Sequence, residues 1–233
     1  MKPKSPVVDY RKLRPGNLSS KEFRHLYLLL YWPVFGLLFL FVERFYRVDS
    51  YYPVHCFLDD CIPFCEWFVF AYLFWFVYLV GMLLYTLLYD IDGFRAMMKF
   101  IMVTYTIAMA TYLIFPTCQN LRPVEFARDN LMTRFMSGFY RFDTNTNVCP
   151  SIHVMGALAV LCTAWHCKGL QRPGWKWAFG ISALLICLST VFLKQHSVVD
   201  VIAALPACLL ADRLCCRRKQ PEQTALAWDA ASE

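Results

Sequence analysis

Two histidines, one aspartate and a short polar run carry the chemistry that can be read from this chain of 233 residues. The run 143–153, Asp-Thr-Asn-Thr-Asn-Val-Cys-Pro-Ser-Ile-His, stops abruptly where an apolar stretch begins. Asn147 and Ser151 are N-cap residue types, and Pro150 suits a first helical turn, where its missing N–H costs nothing. A helix is therefore expected to start here, with His153 one turn inside it. Its unpaired N–H groups and positive dipole end favour an anion such as phosphate. Farther on, His196 and Asp200 stand four residues apart, so they share a helical face and can touch. Arg122 and Lys194 add two cations. Such a set suits phosphoryl transfer, which needs cationic and N–H stabilisation of phosphate oxygens, an in-line nucleophile and a proton donor for the leaving oxygen. A neutral imidazole can attack when a carboxylate fixes its tautomer and stabilises the imidazolium that forms. Asp200 is spaced to do this for His196, leaving His153 as general acid. Zinc ligation by His153, His196 and Asp200 is the alternative.

The elements that must position these residues are membrane helices. Hydrophobic residues make up 58% of the chain and the mean hydropathy is +0.41, well above the roughly 45–50% apolar share of soluble domains. Six apolar runs approach the roughly 20 residues that cross a bilayer as helix: 26–42, 67–88, 97–115, 151–165, 177–193 and 198–210. The fourth and sixth are short. The first is read as an anchor, because a long basic segment precedes it and Glu43-Arg44-Phe45 stands where a cleavage site would. Sixteen of the 23 Lys and Arg residues fall on one side of an alternating topology. They lie before the first span, at Arg95/Lys99, at Lys168/Arg172/Lys176 and at Arg213/Arg217/Arg218/Lys219. Positive charge stays inside, so both termini are expected in the cytoplasm. Arg122, His153, Lys194, His196 and Asp200 then all meet at the external face, from four separate junctions. The net charge of +6 is a consequence of this topology, and its spread over loops gives no sign of nucleic acid binding.

The expected organisation is a cytoplasmic segment 1–25, a membrane domain 26–213 and a cytoplasmic tail 214–233. The first external loop carries Asp59-Asp60 and three of the chain's eleven cysteines, Cys56, Cys61 and Cys65. No metal-ligand spacing is met, and the cysteines read as small hydrophobes rather than a disulfide framework. Cys215-Cys216 before Arg217-Arg218-Lys219 is a spacing compatible with acylation. Asp90 and Asp92, next to Arg95 and Lys99, read as a solvated turn. The external loop 117–149 is long enough to suggest function. Phe126, Leu131, Phe135, Met136, Phe139 and Tyr140 recur there at helical spacing, as in an amphipathic helix on the membrane surface or a plug against the spans. His25, His55 and His166 read as interfacial or structural.

Over 117–200 the motifs resemble those of the type 2 phosphatidic acid phosphatases and their transferase relatives, the inositol phosphorylceramide and sphingomyelin synthases. Pro150-Ser151-Ile152-His153 resembles the family's Pro-Ser-Gly-His. Ser189, His196 and Asp200 match its Ser-Arg, five residues, His, three residues, Asp. Arg122-Pro123 matches the end of its Lys, six residues, Arg-Pro. Phe115, Thr190 and Ile152 stand where the family has Lys, Arg and Gly, so two cations are missing. Lys194 is the candidate replacement for one, and Asn147 a neutral donor. Asp143 with Asn147, Pro150, Ser151 and His153 looks more like the synthase branch.

What the resemblance implies is an all-α bundle of six transmembrane helices with a phosphohistidine mechanism. His196 would be the nucleophile, Asp200 its orienting carboxylate and His153 the leaving-group acid. Arg122, Ser151, Lys194 and Asn147 would bind phosphate, with no metal or other cofactor required. The expected function is a multi-pass cell-membrane lipid phosphatase acting at the external face on a lipid phosphate or phosphodiester. Transfer of a phospho-headgroup to a lipid hydroxyl is the second reading, and a non-catalytic scaffold or transporter the third.

Overall fold

The computed structural model describes residues 5–46 and 48–216. Lys2, Lys4, Arg47, Arg217, Arg218 and Lys219 of the charge count, and most of the 214–233 tail, lie outside the described residues. The described residues are 71% helical, which makes the fold mostly α; the two-residue strands β1 (Tyr52–Pro53) and β2 (Thr117–Cys118) pair in parallel. In chain order the helices are α1 (Tyr31–Arg44), α2 (Phe57–Cys61), α3 (Val69–Tyr89), α4 (Ile91–Ile114), α5 (Leu131–Phe142), α6 (Ile152–His166), α7 (Pro173–Phe192) and α8 (Val198–Ala211). A 3-10 segment, Arg24–Leu30, runs into α1, and one π turn, Asp212–Cys216, continues α8.

Among the described residues four helical stretches are long and apolar enough to cross a bilayer: Arg24–Arg44, Glu66–Tyr89, Ile91–Ile114 and Pro173–Phe192. This marks the chain as a membrane protein. The fourth and sixth expected spans are helices of 15 and 14 residues, about 20 Å each at 1.5 Å per residue. That falls short of the roughly 30 Å hydrocarbon thickness. The run from 97 begins earlier than expected, because the Asp90 carboxylate caps α4 by accepting from Gly93 N–H at 2.9 Å.

Helix α6 is the centre of the bundle and touches α3, α4, α7 and α8. Its buried face is built from small residues, Gly156, Ala157, Ala159 and Ala164, which let neighbouring backbones approach. Gly156 is obligatory: a Cβ there would lie 2.7 Å from the Tyr105 hydroxyl and 2.8 Å from Trp75 Nε1. Around this axis Met97, Phe100, Ile101, Tyr105, Met155, Val160 and Ile186 form the main core.

The loop after α4 contains the expected amphipathic helix, narrowed to α5. It starts at Leu131 because Asn130 accepts from the N–H groups of Met132 and Thr133. Phe126 therefore lies before it. Met136 is fully buried and packs with Val69, Tyr72 and Leu193, while Leu131 and Phe142 are exposed. Helix α5 thus packs onto the bundle by one face. The external-loop cysteines Cys56, Cys61 and Cys65 are free thiols.

Candidate active site

Helix α6 begins at Ile152 with Ser151 as its N-cap, so Pro150 precedes the cap instead of occupying the first turn. Asn147 caps nothing: it sits in a left-handed turn, φ 54°. Two tyrosines of α4 bond carbonyls at the start of α6, Tyr112 donating to Pro150 O at 2.7 Å and Tyr105 to Ile152 O at 3.3 Å. His153 therefore stands in the first turn. Its ring lies 4.6 Å from Tyr72 and 4.7 Å from Trp75 between centroids, and its Nδ1 is buried with no partner among the described residues.

The second histidine comes from the connection between α7 and α8. Ser197 caps α8, accepting from Val199 N–H, while Asp200 Oδ2 accepts from Ser197 N–H, a reciprocal capping box. His196 therefore precedes the helix rather than sharing its face with Asp200. The two still meet, because the capped turn brings His196 Nδ1 to 3.1 Å from Asp200 Oδ2. With Nδ1–H donating to the carboxylate, the lone pair sits on Nε2. His196 and His153 face each other edge to face, 5.7 Å between centroids. The Cys149 thiol lies beside Asp200, and burial together with that carboxylate pushes it up to about 12, so it stays neutral.

Both histidines line a cavity of about 40 Å³, shared with Phe39, Glu43, Tyr112, Asp143, Asn147 and Gln195. Glu43, at the end of α1, escaped the sequence reading. Its carboxylate accepts from Asn147 Nδ2 at 3.2 Å and from the Thr144 hydroxyl. Only its place beside Arg44 at a span end hinted at a role, and nothing in the spacing tied it to residues a hundred positions away. Burial raises the Asp143 carboxyl above its usual range, although Arg122, His196 and Arg44 oppose this.

The expected phosphate cations are placed otherwise. Arg122 is spent on the loop: it donates to Tyr140 O (3.1 Å), Asp143 O (2.8 Å), Thr144 O (2.8 Å) and Gln195 Oε1 (2.6 Å), and stacks 4.6 Å over the Tyr140 ring. It reaches the cavity through Gln195. Lys194 turns away, since its backbone is left-handed at φ 53° and its ammonium donates to Asp59 O at 2.7 Å and Ile62 O at 2.5 Å. The structure does not bring Lys194 to the histidines. Ser151 is fully buried behind them, its N–H donating to Asp200 O at 3.2 Å. Asn147 is at the wall, with Oδ1 unpartnered.

Asp59 is the second residue missed. Burial works against its ionisation, yet hydrogen bonds from Ser197, Val198 N–H and Cys56 N–H outweigh it and hold the carboxyl below its usual range. Oδ2 accepts from the Ser197 hydroxyl at 2.6 Å and Oδ1 from Val198 N–H at 2.8 Å. It anchors the start of α8, and hence His196, to α2. Tyr140 O–H to Leu193 O (2.6 Å) and Gln119 Nε2 to Lys194 O (2.9 Å) hold the same connection from the other side. Among the described residues no group of three or more His, Cys, Asp or Glu is arranged to hold a metal ion.

A carboxylate-oriented imidazole facing a second imidazole across a small cavity is an arrangement for passing a group to nitrogen while a proton moves to a leaving atom. No curated protein and no solved structure matches the chain. Residues 96–222, which contain both histidines, Asp200 and the helices that hold them, match the model of the PAP2 superfamily, and the chain belongs to that superfamily.

Proposed function

We propose that the protein is a multi-pass membrane lipid phosphatase working through phospho-His196. The observation that carries this reading is the hydrogen bond of His196 Nδ1 to Asp200, with His153 5.7 Å away across the cavity. Nε2 of His196 attacks phosphorus, the bond from phosphorus to the ester oxygen breaks, and protonated His153 gives its proton to that oxygen. Neutral His153 then takes a proton from water, whose oxygen attacks phosphorus, freeing phosphate and His196. Asp200 stabilises the charge on His196 in both steps. Asn147 is the proposed direct phosphate donor, Ser151 holds the Asp200 carbonyl behind the histidines, Arg122 acts through Gln195, and Lys194 positions the loop. The proposed topology, six spans with both termini in the cytoplasm, has this site at the external face of the cell membrane.

Transfer of a phospho-headgroup to a lipid hydroxyl is favoured by one observation. Glu43 and Asp143 both line the cavity, and a carboxylate beside phospho-His196 suits orienting or deprotonating an acceptor hydroxyl better than it suits holding a phosphate.

Purified protein in detergent, given lipid phosphates and phosphodiesters with and without diacylglycerol or ceramide, tests both beside His196→Gln. Phosphate release absent from the variant supports the phosphatase, and headgroup on the acceptor supports transfer. Equal traces from two well-folded proteins would sink both.

A further inference from the structure

A second cavity with charged walls lies apart from the one between the histidines. It has a volume of about 520 Å³ and lies at the other end of α4 and α6. Helix α6 carries His153 in its first turn and His166 in its last, so the two cavities are separated by the helix length, about 20 Å. Its walls are the first turns of α4 (Asp90, Asp92, Arg95, Lys99), the end of α6 with Lys168 beyond it, and Cys215 and Cys216 from the π turn.

Three cations, Arg95, Lys99 and Lys168, and two carboxylates, Asp90 and Asp92, line this space, a net excess of one positive charge. The Asp90 carboxylate is committed to Gly93 N–H at 2.9 Å, and Asp92 pairs with Arg95 at 3.3 Å. Lys99 and Lys168 line the same concavity and are exposed, with no carboxylate paired to either among the described residues. Arg95 and Lys99 are four apart on α4, a spacing that sets like charges side by side at a cost. With Arg95 paired to Asp92, Lys99 and Lys168 bring two cations from two elements to one hollow, and an anion that enters it meets both. A volume within the usual range for small-molecule sites, roughly 300–1,000 Å³, admits a whole headgroup rather than a single ion. Basic pockets between helices at a membrane face bind phosphorylated headgroups by this chemistry.

We propose that this cavity is a second, non-catalytic site for a phosphomonoester-bearing headgroup, held by Lys99, Lys168 and Arg95. The headgroup comes either from a lipid of the surrounding leaflet or from a soluble organic phosphate. The site does not depend on the reaction at His196.

The full chain carrying His196→Gln, which spares the probe, is reconstituted in phosphatidylcholine nanodiscs. It is titrated with dioctanoyl phosphatidylinositol 4-phosphate and separately with inositol 1,4-bisphosphate, binding being read by microscale thermophoresis at low salt. Saturable binding is expected. It should weaken about thirtyfold in Lys99→Gln/Lys168→Gln, from the usual contribution of each basic residue near a membrane surface, and recover in Lys99→Arg/Lys168→Arg. Binding of both probes identifies the headgroup as sufficient, and binding of the lipid alone identifies the leaflet as the source; either supports the site. The arginine pair keeps the test valid if the glutamine pair elutes as aggregate, since it must bind like the parent. No saturable binding of either probe, or binding indifferent to both lysine pairs, overturns the proposal.

Discussion

Replacing Asp59 by Ala should damage a site whose reacting groups it never touches. Its carboxylate accepts three donors: Cys56 N–H at 2.8 Å, the Ser197 hydroxyl at 2.6 Å and Val198 N–H at 2.8 Å. Alanine leaves all three without a partner, Ser197 being fully buried. An unmet buried donor costs about 1–3 kcal/mol, and allowing for water reaching the partly buried pair, the sum is roughly 3–5 kcal/mol. The start of α8 then loses its anchor, and displacing a catalytic group by about 1 Å costs on the order of a hundredfold in rate. The assay pairs unfolding in mixed micelles with turnover per folded molecule. The loss of stability should also depend on pH. The folded carboxyl titrates below its ordinary 3.8, so its contribution is complete above that value and disappears as pH falls through the lowered one. Parent and variant should therefore converge in acid. A variant that unfolds early yet turns over normally while folded would refute the positioning argument, and one with unchanged stability would refute the energetics.

Arg122→Lys should destabilise the fold by roughly 2–3 kcal/mol, because an ammonium cannot reproduce a planar fork that serves four acceptors. Were Arg122 simply a phosphate ligand, its unfolding midpoint would stay put and KM alone would rise. Gly156→Ala should cost about 1–3 kcal/mol from overpacking and slow turnover, since Trp75 packs against both Gly156 and His153. Adding Tyr105→Phe removes the hydroxyl that the new methyl meets at 2.7 Å and should restore part of the stability, measured by the same thermal scan; no recovery would place the strain elsewhere.

How much was legible varied with the range of the interaction. The cap at Ser151, the helix in the 117–149 loop and the contact of His196 with Asp200 are local, set by residues within a few positions, and the sequence alone led to them. Even here the reason shifted, since a capped turn, not a shared helical face, joins His196 to Asp200. The roles of Arg122 and Lys194 were not local. Each is a cation in a motif-like position, but where its side chain goes depended on which carbonyls the folded loops presented. Arg122 met the carbonyls of 140–144 and Gln195, and Lys194 those of Asp59 and Ile62.

Composition and hydrophobic run length determined that this chain is a helical membrane protein, because a bilayer admits few ways to satisfy the backbone and apolar length alone selects them. Motif spacing singled out His153, His196 and Asp200, which the folded chain brings together. Only the tertiary structure decided that Glu43 and Asp59 build the site, that Lys194 leaves it, and that cations gather around a hollow at the far end. Those choices hang on contacts between residues more than a hundred positions apart, where spacing carries no information and packing fixes the partners.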